Sequence, residues 1–312
     1  MHLKRFYCHI LIFLLVICTS AQINDSAARL FGEGIISTGD YESHPCFSPD
    51  GKSFYFIKSF PNFSFWTICV SYLQDGKWTQ PVVAPFSGKY SDADPYITPD
   101  GKKFYFISNR PTYGGEIKSD MDIWVMELKD NLWTAPQHLD TTINSPANEW
   151  FPRETKSGRL YFGSERQGGL GGADLYYSEW ANGKYAAPKS LGDSINTRFN
   201  EFEPLVDYNE QYLVFMSVRK GGLGGGDFYL SRNKDGTWTS PVNLGEKVNS
   251  AYMEIGAAIS NDGKYFFFSS TRQEEKNHFD RSLSYQELTN EIHAPGNGLG
   301  DIYFIELDEI IK

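Results

Sequence analysis

The sequence has few of the residues that crosslink a chain or anchor it in a membrane. It contains four cysteines and six histidines, and only Cys46, Cys69 and four histidines lie after residue 21. A fold held together by several disulfides is therefore excluded. Beyond residue 21 no apolar run approaches the roughly 20 residues of a membrane helix, so we expect no transmembrane segment.

Basic residues are also scarce. The chain has 29 Lys and Arg against 39 Asp and Glu, and its formal charge of -10 becomes -12 once Lys4 and Arg5 are removed with residues 1–21. Because phosphate backbones need basic surfaces, we expect no nucleic-acid partner. There is no serine or cysteine nucleophile signature and no histidine pair at metal-binding helical spacing, so we predict no catalytic residue, no metal site and no cofactor.

Residues 1–21 have the layout of a cleaved secretory signal. Lys4 and Arg5 precede an apolar run from 10 to 17, and Thr19-Ser20-Ala21 ends the segment. Cys18 raises the alternative of a lipoprotein, but Ile17 stands where such signals place a small residue. We therefore expect a secreted or periplasmic protein with one domain over residues 22–312.

One pattern recurs five times after this leader. An acidic residue stands three positions before a proline, a turn such as Pro99-Asp100-Gly101 follows, and an aromatic strand ends in Ser-x-Arg. The proline slot is occupied by Pro45, Pro95, Pro152, Pro204 and Ala257, so the spacing is 50 to 57 residues. A period of this size, with short aromatic and β-branched strands, predicts an all-β propeller.

The second copy shows four strands, at 94–98, 103–108, 122–128 and 133–139. Cys46 falls on the first strand of its copy and Cys69 on the third. Strands two places apart are about 9 to 10 Å from each other, which is too far for a disulfide, so we expect two buried free thiols.

The fifth copy ends after its third strand, at residues 301–307. Ile36-Ser37-Thr38 precedes Glu42 with the spacing that Ile143-Asn144-Ser145 has to Glu149, so the missing fourth strand is expected at residues 27–37. The prediction is a five-bladed β-propeller of four-stranded blades, closed by this N-terminal strand. Its blades cover approximately residues 41–90, 91–145, 146–197, 198–250, and 251–312 with 27–37.

The Glu-x-x-Pro, Ser-Pro-Asp-Gly-Lys and Ser-x-Arg…Asp-Ile-Tyr pattern over residues 27–307 resembles the TolB-type, WD-like β-propeller repeat of bacterial envelope proteins. The resemblance implies a secreted or periplasmic interaction scaffold. The same repeat occurs in binding proteins, in propellers of peptidases and in some polysaccharide lyases, so it does not decide function. Two copies depart from the turn pattern, at Lys156-Ser157-Gly158 and Tyr208-Asn209-Glu210.

Charged residues recur at fixed places in the repeat. First strands line the channel of a propeller, so the leading acids are expected to form a carboxylate ring near its mouth: Glu42, Asp92, Glu149, Glu201 and Glu254. Each typical blade adds an arginine and a third-strand aspartate, which favours a structural acid–Arg–acid clamp over a metal site. These further clamp residues are Arg110, Arg166, Arg219, Arg272, Asp122, Asp174, Asp227 and Asp301.

The repeat is broken where blades 1 and 5 should meet. Blade 1 has Phe60 in the arginine position and Thr67 in the aspartate position, which leaves Glu42 without its expected partners. The insertion at residues 273–300 should lie beside it and contain a helix near 285–292, because Ser284 and Glu287 have capping-box spacing. We predict a ligand site here, formed by Glu42, His44, Phe60, Phe63, Phe65, Trp66, His278 and His293.

The expected function is a non-enzymatic binding or scaffold module of the cell envelope. Its partner would be a protein or a glycan, bound on the face formed by the loops between second and third strands. The alternative is a carbohydrate-active enzyme, a glycoside hydrolase or polysaccharide lyase with carboxylates at the channel mouth. No feature of the sequence predicts an oligomeric state.

Overall fold

Five twisted antiparallel sheets form the five blades of a propeller. The computed structural model describes residues 27–112, 114–273 and 278–311, so the predicted leader at 1–21 lies outside the described residues. The five-bladed, all-β prediction is confirmed. Within the part of the chain that is described, no helix has the length and apolar character needed to cross a membrane.

The strands follow the repeat closely. Strand β1 is Arg29–Leu30. Blade 1 contains β2 (Tyr41–Phe47), β3 (Ser53–Ser59), β4 (Trp66–Gln74), β5 (Lys77–Trp78) and β6 (Val82–Val83). Blade 2 contains β7 (Asp92–Ile97), β8 (Lys103–Ser108), β9 (Asp122–Lys129), β10 (Leu132–Trp133) and β11 (Gln137–His138).

The other three blades repeat this order. Blade 3 contains β12 (Glu149–Glu154), β13 (Leu160–Ser164), β14 (Asp174–Ser178), β15 (Trp180–Ala181), β16 (Lys184–Tyr185) and β17 (Lys189–Ser190). Blade 4 contains β18 (Glu201–Val206), β19 (Tyr212–Ser217), β20 (Asp227–Lys234), β21 (Thr237–Trp238) and β22 (Val242–Asn243). Blade 5 contains β23 (Glu254–Ile259), β24 (Tyr265–Ser270) and β25 (Asp301–Glu306), and a 3-10 turn, Leu307–Glu309, follows.

The outer strand of blade 2 is not the single strand expected at 133–139. It consists of β10 and β11, which both pair with β9 and are separated by Pro136. A proline lacks the backbone N–H that would continue the ladder, so the strand is interrupted there. Prolines occupy the same place in blades 1, 3 and 4, at Pro81, Pro188 and Pro241.

Strand β1 closes the propeller, as predicted. It pairs antiparallel with β25, with Arg29 opposite Phe304 and Leu30 opposite Tyr303. Phe31, the next residue, packs against Phe54 of blade 1 and Phe267 of blade 5, with ring centroids 4.9 and 5.1 Å away. Residues 27–36 therefore join the first blade to the last through both backbone pairing and aromatic packing.

The apolar core lies between neighbouring blades rather than at the centre of the molecule. One cluster joins blades 4 and 5 through Val214, Phe228 and Phe266, and another joins blades 5 and 1 through Phe267 and Phe54. Cys46 and Cys69 are buried free thiols, as expected. Because each cluster includes residues of two or three blades, packing stabilises the closed ring as a whole.

The insertion of blade 5 forms the predicted helix, α1, at Tyr285–Ile292. Ser284 and Glu287 form the capping box. Tyr285, Leu288 and Ile292 are all exposed. The insertion lies beside blade 1, because Asn297 donates to the carbonyl of Gly39 and the amide of Glu42 donates to the carbonyl of Gly300.

Candidate functional site

The leading acids do not form an open carboxylate ring at the channel mouth, and that expectation is wrong. All five side chains are completely buried. In blade 4, Glu201 accepts hydrogen bonds from the backbone N–H and hydroxyl of Thr197 at 2.7 and 2.8 Å, and from the Ser217 hydroxyl at 2.9 Å. Thr197 belongs to the connection from blade 3, so the acid fixes one blade to the next.

The arginine completes this interblade clamp with one acid, not two. Arg219 donates to Glu201 at 3.2 Å and to the carbonyl of Ile195 at 2.7 Å. Asp227 instead accepts from the backbone N–H groups of Leu223 and Gly224. Blade 3 repeats the arrangement, with Arg166 on Glu149 and Asp174 under the loop amides of 170 and 171.

The clamps of blades 2 and 5 use the same acid–arginine pair. Arg110 contacts Asp92 at 2.6 Å and Arg272 contacts Glu254 at 3.4 Å. The third-strand aspartates again have other partners: Asp122 accepts from Lys118 and contacts His138, and Asp301 accepts from the amide of Gly296. The acid–Arg–acid hypothesis is thus half right, because the second acid stabilises the strand 2–3 loop.

Blade 1 does not leave Glu42 available to a ligand, which corrects the prediction. Glu42 accepts from the backbone and hydroxyl of Thr38 at 3.0 and 2.6 Å, and the Lys58 ammonium lies 3.1 Å away. In the strand pairing Lys58 stands opposite Glu42, where blade 2 has Ser108 opposite Asp92. The cation missing at Phe60 is therefore supplied two residues earlier, and Glu42 is structural.

Different residues reach the axis, and they do so because every first strand contains a β-bulge. The strand 1–2 register shifts between residues 43 and 46 in blade 1 and at the same place in every other blade. A residue within each bulge has left-handed backbone: His44 (φ 57°), Asp94 (53°), Phe151 (51°), Glu203 (61°) and Gly256 (65°). Four of these are not glycine, and such strain is typical of functional positions.

These five axial residues contact one another across the channel. His44 Nε2 lies 3.6 Å from Asp94 Oδ1 and 3.8 Å from Glu203 Oε1. The imidazole stacks on Phe151, whose backbone N–H donates to Asp94 at 2.9 Å. The backbone N–H of Gly256 donates to Glu203. Residues from all five blades thus form a plug in the middle of the channel.

Burial changes the acidity of the plug. It raises the pKa of Asp94 to about 7, although the amide of Phe151 and the positive charge of Arg153 oppose the shift. It also raises the pKa of Glu203 well above its usual value, and the charge of Asp94 adds to the effect. Burial, with Arg153 nearby, lowers the pKa of His44 to about 3. At neutral pH the imidazole is therefore uncharged.

A pocket of about 220 Å³ opens above the plug, on the face that carries the strand 2–3 loops. We call it the mouth pocket. Its floor includes His44, Asp94 and Glu203, whereas its walls are mostly apolar. The apolar wall residues are Ile57, Phe63, Trp66, Ala93, Trp150, Phe151, Phe202, Met216, Met253 and Ile255. Trp66 and Trp150 meet edge to face, with ring centroids 6.1 Å apart.

The predicted ligand residues divide between two places. His44, Phe63 and Trp66 line the mouth pocket. Phe60 and Phe65 line a separate seam cavity of about 370 Å³, where the buried hydroxyls of Tyr41, Ser59 and Thr67 find no hydrogen-bond partner among the described residues. His278 and His293 lie exposed in the insertion, and neither lines the mouth pocket or the seam cavity.

Sequence reasoning missed Asp94, Phe151 and Glu203, although two of them had a signal. Asp92-Ala93-Asp94-Pro95 and Glu201-Phe202-Glu203-Pro204 each carry a second acid two positions after the first. Among the described residues, no group of three or more His, Cys, Asp or Glu side chains is arranged to hold a metal ion.

Comparison with known proteins supports the fold. No protein-family profile matches the sequence, and no curated protein sequence is similar to it. The chain resembles the catalytic domain of a Coprinopsis cinerea GH62 α-L-arabinofuranosidase, with TM-score 0.50 and 11% identity over 90% of this chain and 97% of that one. At this identity the likeness concerns the propeller architecture alone.

Two other solved structures are similar at lower scores. An α-L-arabinofuranosidase from Lactobacillus brevis matches with TM-score 0.47 and 12% identity, over 88% of this chain and 92% of that chain. A puromycin-hydrolyzing peptidase from Mycobacterium tuberculosis matches with TM-score 0.42 and 14% identity, over 84% of this chain. The chain spans 42% of the peptidase's length.

Proposed function

We propose that this protein is a non-enzymatic binding module of the bacterial cell envelope, and that the mouth pocket is its binding site. The observation that carries the proposal is the combination of apolar walls with an acidic floor, built by residues of all five blades. The secreted or periplasmic location and the TolB-type kinship are part of the proposal and rest on the sequence of the leader and of the repeat.

The chemistry of the pocket favours a protein partner over a glycan. A sugar needs many hydrogen bonds, but apart from the indole N–H groups of Trp66 and Trp150 the polar side chains of the lining are Ser43, His44, Asp94 and Glu203. A lysine or arginine side chain has an apolar stem and a cationic tip, which suit aromatic walls and a carboxylate floor. We therefore infer that a partner protein inserts one basic side chain here.

The depth and charge of the floor fit such a tip. Asp94 Oδ1 and Glu203 Oε1 flank the same imidazole nitrogen, so both can approach one cation. The side chains of Asp94 and Glu203 are only 2% and 3% exposed. A charge at that depth is stable only when it is paired, and an incoming cation would pair with the ionised form of Asp94.

Calorimetry on the mature chain would test the proposal. A short peptide with one central lysine is compared with the same peptide carrying norleucine, and we expect the lysine peptide to bind at least about 10-fold more tightly. Trp66→Ala and Asp94→Asn should each weaken it by about 1–3 kcal/mol. Trp180→Ala is the matched control, because this tryptophan is half exposed on the outer strand of blade 3.

Equal binding of the two peptides would refute the basic side chain as the ligand. Equal loss in the Trp66 and Trp180 variants would move the site away from the mouth pocket. Full affinity in the Asp94→Asn variant would show that the buried carboxylate does not contact the bound cation.

A glycoside hydrolase remains the second candidate, and one observation favours it. Asp94 and Glu203 lie across the axis from each other, no farther apart than the sum of their distances to His44 Nε2. That upper limit is compatible with the separation of about 5–5.5 Å in retaining glycosidases and with the shortest separations, about 6.5 Å, in inverting ones. Release of nitrophenol from 4-nitrophenyl α-L-arabinofuranoside, abolished by Asp94→Asn, would establish this function instead.

A further inference from the structure

A second cavity, of about 490 Å³, lies at the opposite end of the channel. We call it the lower cavity; it is bordered by the turns between first and second strands, such as Pro49, Pro99 and Asn261. The plug of axial residues separates it from the mouth pocket. Its size is within the usual range of about 300–1,000 Å³ for small-molecule sites.

One position of the repeat sets the chemistry of this cavity. The residue four places after each leading acid lines it in every blade: Cys46, Tyr96, Arg153, Leu205 and Ala258. Four of these five residues are apolar or aromatic, and at this repeat position only blade 3 has a charged residue, Arg153. Further walls come from prolines and aliphatic side chains, including Pro45, Pro95 and Val206.

Arg153 is buried, at 8% exposure, and it forms no ion pair with any residue that the structure describes. Its Nη1 and Nη2 atoms donate to the carbonyls of Pro152 and Ala257, at 3.0 and 3.3 Å, and the guanidinium lies over the Tyr96 ring, 4.8 Å from its centroid. Within the described residues no carboxylate comes within 4 Å of it, whereas each of the four clamp arginines has one.

A buried guanidinium without a counterion is costly, and it has donors to spare. Five N–H groups belong to the side chain, and among the described residues only two backbone carbonyls accept from it. Asp94 and Glu203, in the plug, interact with the charge of Arg153 electrostatically but do not form an ion pair with it. The cavity also contains Asp207, but that carboxylate accepts hydrogen bonds from the turn amides of 209 and 211.

We propose that the lower cavity binds a carboxylate carried on an apolar or ring-containing body. A planar carboxylate matches the fork of a single guanidinium, and the prolines, Tyr96 and Leu205 would enclose the body. A phosphate dianion fits less well, because Arg153 is the only basic residue lining the cavity within the described chain. The carboxylate can belong to a free small molecule or to the C-terminus of a peptide.

Ligand-observed NMR and calorimetry on the mature chain would test this site with benzoate as the probe. Benzamide, which has the same shape without the charge, should bind at least about 10-fold more weakly, as should inorganic phosphate. Arg153→Met should lower the benzoate affinity by about 10-fold or more, whereas Arg198→Met, an exposed arginine outside the cavity, should not. Trp66→Ala should also leave benzoate binding unchanged.

Other results would overturn the assignment. Equal affinity for benzamide, or stronger binding of phosphate, would contradict the carboxylate class, and both comparisons use the unaltered protein. Benzoate binding that survives in Arg153→Met would move the site elsewhere. If that variant does not fold, Arg153→Lys keeps the charge without the fork and should still weaken benzoate.

The same measurement with a peptide distinguishes the two sources of the carboxylate. A peptide ending in phenylalanine with a free C-terminus is compared with its amidated form. Tighter binding of the free form than of benzoate favours a protein C-terminus, and the reverse order favours a small molecule. Failure of both peptide and benzoate to bind would refute the proposal without affecting the mouth pocket.

Discussion

His44 stacks on Phe151, a residue two blades away, with ring centroids 5.1 Å apart and ring planes inclined by 17°. Both residues have left-handed backbone, and each lies in the bulge of its own first strand. The middle of the propeller is therefore filled by side chains that only the bulges could place there. This geometry makes the plug sensitive to small changes at the fifth axial position, which is a glycine.

Gly256→Ala should destabilise the protein by about 2–4 kcal/mol. A Cβ atom at this residue would lie 2.6 Å from the backbone nitrogen of His44, and φ is 65°. Gly236→Ala is the control, since it has φ 85° but no atom within 4 Å of its Cβ, so it should cost only about 1 kcal/mol. Urea unfolding measures both, and equal losses would show that axial crowding has no effect.

Asp94 should make stability depend on pH. Its pKa is 3.8 in a free side chain and about 7 in the folded protein, so the folded state holds a proton that the unfolded chain releases. The stability that this bound proton contributes is complete below pH 4 and is lost as the pH rises through 7. Between pH 4 and pH 8 the free energy of unfolding of the unaltered protein should fall by roughly 3–5 kcal/mol relative to that of Asp94→Asn.

Unfolding curves at a series of pH values would check this difference. His44 also responds to pH, because its lowered pKa disfavours folding below about pH 6.5, but it is present in both proteins and so cancels. Asp193→Asn, at an exposed position, should give a curve parallel to that of the unaltered protein. A parallel curve for Asp94→Asn would mean that Asp94 is ionised normally.

Ionisation of Asp94 should also control binding in the mouth pocket. A cation binds to the carboxylate, so affinity for the lysine peptide should rise as the pH increases through about 7. Between pH 6 and pH 8 we expect an increase of about 5- to 10-fold. Calorimetry with Asp94→Asn should show a flat profile, and a flat profile in the unaltered protein would contradict the proposed contact.

The interblade clamp should contribute measurably to stability. Glu201→Gln removes a fully buried negative charge that accepts hydrogen bonds from Arg219 and from two hydroxyl groups. We therefore expect the free energy of unfolding to fall by about 2–4 kcal/mol. Lys129→Gln breaks an exposed ion pair with Glu127 and should change stability by less than about 1 kcal/mol. Similar effects of the two variants in thermal unfolding would show that the clamp is dispensable.

Closure of the propeller should depend on Phe31. The ring packs against aromatic residues of blades 1 and 5, so Phe31→Ala should cost about 2–4 kcal/mol and increase hydrogen exchange in strand β25. Phe279→Ala, in the exposed insertion, should have little effect on either. Unchanged exchange at residues 301–306 in the Phe31 variant would refute closure by this segment.

Much of the architecture could be read from the sequence, because it follows from local signals that repeat. The acid-to-proline spacing gave five blades, the truncated fifth copy gave the closure by β1, and the Ser284–Glu287 spacing gave α1. The channel could not be read, because knowing that first strands line the axis does not tell which of their residues reach it. The β-bulge of each first strand lies after the leading acid and directs the residue two positions later toward the axis.

The bulges themselves are only weakly marked in the amino-acid sequence. Left-handed backbone is usually marked by glycine, but only Gly256 follows that rule, and His44, Asp94, Phe151 and Glu203 do not. The partner of Glu42 was missed for a different reason. Lys58 stands in the serine position of the repeat and not in the arginine position, which Phe60 occupies. The repeat pattern therefore does not identify Lys58 as the residue that replaces the arginine.

Pairing of β1 with β25 also has a kinetic meaning. Residues 29 and 30 cannot meet their partners until the chain has been made and extended as far as residue 304. Until then the segment around Phe31 has no partner, and the outer edge of β25 stays open from the time β25 forms until β1 pairs with it. Such edges associate readily with other chains. Folding should therefore be slow, since its final step joins segments far apart in sequence, and a holding chaperone should raise the yield of native protein.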